Sequence, residues 1–131
     1  MAIANGTSST TTEQNPHFDH IDRAPYELGY LLRNLPPDVN PHQKHSEETY
    51  LIADAAKKHA SNSLDAIVHG LVALGSIMTT AGCNDEGRLD QSTVISLGQL
   101  VQHIGLEIQL FSEIEHSMNE IVRSRNQHTT N

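Results

Sequence analysis

Between Val94 and Val122, apolar side chains return in steps of three and four, broken once where Glu115 takes the place between Phe111 and Met118: Val94, Leu97, Val101, Ile104, Ile108, Phe111, Met118 and Val122. A strand alternates with a period of two, whereas this spacing lines one side of an α-helix. A second series, Ala53, Ala60, Leu64, Ile67, Leu71, Leu74, Met78 and Ala81, keeps the same rhythm around a charged interruption at Lys57. Two long amphipathic helices dominate such a chain, and no segment carries strand periodicity. The fold class expected is all-α.

The punctuation around these runs sets the expected boundaries. Leu28, Leu31, Leu32 and Leu35 recur at helical spacing behind Pro25, a residue suited to a first helical turn, so a short N-terminal helix is expected over about 25–34. Pro36 and Pro37 lack amide donors and end it. Asn40-Pro41-His42-Gln43 has the form of a helix start, with a capping asparagine, a proline behind it and a glutamine where a capping box places one. The first long helix is therefore expected over about 41–81, with Ser61-Asn62-Ser63 as its weakest stretch and Gly82 as a left-handed terminator. Asp90 is placed to cap a second long helix over about 91–125, and Arg123 and Arg125 suit the negative end of its dipole. Residues 1–17 and 126–131 are polar tails whose apolar surface is too small to offset ordering entropy, which leaves 18–125 as the helical domain.

Composition narrows the partners. A chain of 131 residues with 16 acidic and 8 basic side chains has a net charge of -8, which disfavours a phosphate backbone, so no direct nucleic-acid binding is expected. Cys83 is the single cysteine and has no partner for an internal disulfide. The first residues carry neither the basic start nor the apolar core of a signal peptide, so Asn5-Gly6-Thr7 is not expected to be glycosylated. Leu64 to Met78 is interrupted by Asp65 and His69, which favours a core helix over a membrane span. A cytoplasmic protein without a membrane partner is the expectation. Nine histidines make the charge responsive to pH near 6.

Two helices of similar length joined by the short polar segment from Cys83 to Leu89 are expected to fold back as an antiparallel hairpin. Val68, Val72, Ile95, Leu100, Leu106, Leu110, Ile114 and Ile121 lie beside or outside the two seams, so one hairpin has more apolar surface than it hides. Pairing into a homodimeric four-helix bundle would cover it. Small residues repeat every seven positions, as Ala56, Ser63 and Gly70 on one helix and Gly98, Gly105 and Ser112 on the other. Glycine inside a helix costs up to about 1 kcal/mol relative to alanine, so these strips suggest a close approach by another backbone or a ligand. The expected self-association residues are Gly70, Leu71, Leu74, Met78, Gly98, Val101, Gly105, Ile108 and Ser112.

Chemistry has few carriers. Glu113-Ile114-Glu115-His116 contains the Glu-x-x-His spacing of di-iron helical bundles, but no second copy exists in the chain. A turn near residue 86 would bring His69 level with His103 and Glu107, and His59 level with Glu113 and His116. Their expected directions diverge, so His69, His103, Glu113 and His116 are weak metal candidates and no cofactor is expected. His17, Asp19, His20, His42 and His45 add ligands on irregular segments. Cys83 sits beside Asn84, Asp85 and Glu86, an acidic setting in which no nucleophile is expected, and Asn84 to Gly87 lacks the spacing of a calcium loop. No phosphate-binding glycine loop or catalytic triad pattern is present, so the chain is not expected to be an enzyme. The expected function is that of a non-enzymatic interaction protein: an adaptor, regulator or inhibitor, such as those phages use against host defences. Glu107, Glu113, Glu115 and Glu120 would meet an unidentified protein partner. The alternatives are a binder of small molecules or nucleotides in a pocket between helices, and a metal-dependent helical bundle.

Overall fold

The computed structural model describes residues 15–18, 24–83 and 89–128. Among them are three helices and no strand: α1 (Ala24–Asn34), α2 (Glu47–Gly82) and α3 (Gln91–His128). The all-α class is the one the spacing implied. The glycosylation-type triplet, Asp19, His20 and the Asn84–Gly87 run lie outside the described residues.

α2 begins six residues later than the Asn40 signal implied. Asn40 instead closes a turn, its Oδ1 accepting the His42 amide at 2.9 Å and its carbonyl bonding the His45 ring at 2.6 Å. The cap is Ser46, whose Oγ accepts the Thr49 amide at 3.2 Å, with Glu47 and Glu48 in the positive first turn. Gln43 cannot complete a capping box because its own amide is committed to the Asn40 carbonyl. α2 then runs unbroken through Ser61-Asn62-Ser63, where Ser63 Oγ donates to the His59 carbonyl at 2.9 Å within the helix. Gly82 stays helical with no positive φ, and the Cys83 amide closes the end on Thr79 and Ala81 carbonyls. Asp90 caps α3 as its position implied, accepting the Thr93 amide at 2.9 Å. α3 extends to His128, three residues beyond the expected end.

α2 packs against both α1 and α3. The buried core joins Leu28 and Leu31 of α1 to Tyr50, Ile52, Ala53, Ala55, Ala56 and Ala60 of α2 and to Met118 and Ile121 of α3. Four alanines at 0% exposure, Ala53, Ala55, Ala56 and Ala60, let neighbours close in on several sides of α2 at once. The tail expected over residues 1–17 is docked at its end: Asn15 Nδ2 donates to the Leu51 carbonyl at 2.9 Å and to Asp54 Oδ2 at 3.0 Å. Its neighbour His17 reaches Glu48 at 2.8 Å, and Phe18 packs on the core.

Candidate functional site

The molecule divides into two halves of different character. The proximal half, where α1, the beginning of α2 and the end of α3 meet, holds every buried apolar side chain among the described residues. In the distal half, α2 and α3 turn their seam residues Leu64, Ile67, Leu71, Leu74 and Ala81, and Leu97, Ile104 and Ile108, partly out of solvent. Among the described residues, none covers the remaining faces. Val68, Val72, Ile77 and Met78 of α2 and Val94, Ile95, Leu100, Val101 and Leu106 of α3 are exposed, Val72 and Ile77 by two thirds (67% and 66%). The expectation that Leu64 to Met78 is a core segment is therefore overturned: α2 contains an 18-residue window of mean hydropathy 1.5 that is not buried in the chain. By length and composition that helix could cross a membrane.

Charge is missing from the same region. Residues 66–84 contain no Asp, Glu, Lys or Arg, and neither do residues 91–106. Depletion of charge around a core of apolar side chains is the compositional mark of a protein interface. Of the residues expected to serve self-association, Gly70, Met78, Gly98, Val101, Gly105 and Ser112 are exposed, while Leu71, Leu74 and Ile108 are half-buried along the α2–α3 seam. A Cβ built on Gly70, Gly98 or Gly105 would meet nothing within 4 Å, so these glycines do not serve contacts inside the chain. Two of the expected small-residue positions, Ala56 and Ser63, belong to the proximal core instead. Ile121 is also in that core and Ile114 packs against it, so the surplus apolar surface of α2 and α3 lies towards the distal half, while Tyr26 and Tyr30 are exposed on α1.

The expected metal candidates do not converge. His69 bonds the carbonyl of Asp65 at 2.7 Å, and exposed His103 lies 3.4 Å from Glu107 on its own helix. Glu113 takes a hydrogen bond from Gln109 at 3.2 Å, and His116 is exposed. No group of three His, Cys, Asp or Glu side chains is arranged to hold an ion among the described residues. The four glutamates expected to meet a partner are also divided. Glu113 and Glu120 are exposed and lie seven positions apart on one face of α3, whereas Glu107 and Glu115 are partly covered on other faces. A surface hollow of about 390 Å³ on α2 is lined by Ser76, Ile77, Thr80 and Ala81, with no ionisable group to orient an anionic ligand.

Sequence reasoning placed His59 level with Glu113 and His116 but missed its burial. It is fully buried, and neither ring nitrogen has a hydrogen-bond partner. Burial pulls its proton affinity below the ordinary histidine value, while Glu27 on α1 opposes this through space. Its flanking alanines at 55, 56 and 60 are the only signal in the sequence, since small neighbours let other elements close over it.

No family model matches the chain, and neither a curated protein nor a solved structure matches it.

Proposed function

We propose that the chain is a non-enzymatic interaction protein in which α2 and α3 form an antiparallel hairpin, and that two hairpins join through their distal halves as a four-helix bundle. The observation that carries this reading is the coincidence of exposed apolar side chains with charge-free spans at 66–84 and 91–106. Two chains of net charge -8 repel one another, and a face without ionised groups is where they can meet at least cost. Association there leaves the proximal ends outside, with Glu113 and Glu120 facing solvent on α3. Those ends are the surfaces through which the assembly would act on a macromolecular partner as an adaptor, regulator or inhibitor.

A bilayer suits the same region less well. Gln91, Ser92, Gln99, Gln102 and His103 stand within the charge-free part of α3, and hydrocarbon would strip their hydrogen-bonding groups of water. Size-exclusion chromatography with light scattering tests the reading directly. A mass of twice the 14.4 kDa chain is expected, falling to one chain in Val72→Glu or Leu106→Glu. A monodisperse monomer at high concentration would overturn it. Recovery of the wild-type chain with lipid vesicles instead would assign the distal half to a membrane.

A further inference from the structure

The turn at residues 15–18 does more than cap an end of the fold. Phe18 lies on His59 with ring centroids 4.8 Å apart, and His59 is shut away from water with both ring nitrogens unpartnered. A neutral imidazole tolerates this setting; a protonated one has two N–H groups and a charge with no acceptor in reach. The Phe18 ring also has Lys58 Nζ 5.5 Å from its centroid, so protonation would set a second cation against the same ring. Among the elements that cover His59, the turn is the lightest, since the helices are locked together by the proximal core.

We propose that the Asn15–Phe18 turn is an acid-released strap: protonation of His59 lifts Phe18 away and opens the face of α2 beneath it, while Asn15 remains as the hinge. The charged groups around His59 fit this division. On α2, Asp54 binds Asn15 at 3.0 Å and Lys58 at 2.7 Å, and it stays ionised through the range in which a histidine titrates, so the hinge is retained. Lys57 lies 3.7 Å from the same carboxylate. On the turn, His17 contacts Glu48 at 2.8 Å, a second tie between the turn and α2. Glu27 of α1 acts on His59 through space and favours the cation, which moderates the effect without supplying a hydrogen bond. On α3, the height reached twelve residues back from Arg125 carries Glu113, Glu115 and His116, and Glu113 is engaged with Gln109.

The chain has two phenylalanines, Phe18 and Phe111, so fluorine NMR of the full chain labelled with fluorophenylalanine reports both regions separately. As pH falls from about 7.5 to about 4.5, a range that extends well below the ordinary histidine value because burial lowers that of His59, the Phe18 signal is expected to move to its solvent-exposed position while the Phe111 signal holds. In His59→Leu neither signal should move, and in His17→Asn the Phe18 movement should persist. A Phe18 signal that stays in place down to about pH 4.5, or that moves equally in His59→Leu, overturns the proposal. So does its loss in His17→Asn. Should His59→Leu fail to fold, carbon-13 shifts of the His59 ring in the wild-type chain decide: Phe18 must move with that titration, and movement while the ring remains neutral overturns the strap.

Discussion

Glu47, the first residue of α2, and Arg125, close to the end of α3, meet at 2.6 Å. Their side chains are about half exposed, 59% and 49%, so water and salt screen the pair. Arg125→Glu is expected to lower stability by less than about 1 kcal/mol in urea unfolding, with the difference shrinking as salt approaches about 1 M. A salt-independent loss of several kcal/mol would show that the pair anchors the two helix ends.

Ser46 carries more weight than its exposure suggests, because it supplies an acceptor for an amide that the helix itself cannot satisfy. Ser46→Ala is expected to cost about 1 kcal/mol. Asn40→Ala, which removes an exposed turn bond to His42 and a long one of 3.5 Å to the Asp38 carbonyl, should cost less. Equal losses, compared by urea midpoints at fixed slope, would mean that the turn before α2 and the helix start unfold as one unit.

The difference between those two caps shows where the sequence was legible and where it was not. Spacing alone placed the two long helices, though Met78, Val94 and Val101 of its apolar series are exposed, and Asp90 announced its role because the polar residue stands directly before an apolar run. Asn40 sent the same signal, yet six residues further on Ser46 with Glu47 and Glu48 provides a better-charged start, and local pattern does not rank two competing caps. The distal surface was partly legible, since surplus apolar positions were visible; that Ile114 and Ile121 leave this surplus for the core depends on where α1 packs, a tertiary fact. The burial of His59 was illegible for the same reason. A histidine in a helix reads as polar until the elements that enclose it are known.

Burial predicts unequal responses to truncation in the two halves. Leu31, at 2% exposure in the junction of three helices, should lose about 2–5 kcal/mol on replacement by Ala. Val72→Ala should stay within about 0.5 kcal/mol in dilute solution, where the residue is a surface side chain. At high protein concentration Val72→Ala should become the costlier of the two conditions, because a dimer contact stabilises by mass action. Thermal melts across a hundredfold concentration range check this; a concentration-independent Val72→Ala effect would remove the residue from any interface.

Asp54 links the docked turn to acid stability. Partial burial works to raise its proton affinity, but hydrogen bonds from Lys58 and Asn15, together with the charges of Lys58 and Lys57, outweigh burial and hold it below the ordinary value of 3.8. A carboxyl group depressed in the folded state adds stability above its unfolded value and loses it as pH falls below that value. Asp54→Asn should therefore flatten the stability profile below about pH 4 and leave its shape near neutrality unchanged. Acid titrations followed by circular dichroism would show an unaltered profile if the carboxylate were unpaired in solution.

The helical glycines separate the two levels at which the distal half is built. Within one chain, Gly98 and Gly105 have open space where a Cβ would stand, so Gly98→Ala and Gly105→Ala should raise the helical stability of α3 by up to about 1 kcal/mol. If two copies meet at this strip, the same methyl groups would hold their backbones apart. The expected result is opposite signs in two measurements: a higher melting temperature for the dilute, dissociated chain and a weaker dimer by sedimentation equilibrium. Alanine variants that melt higher and also associate as tightly as the wild type would move the contact away from the glycines, to the larger apolar side chains at Val72, Ile77 and Leu106.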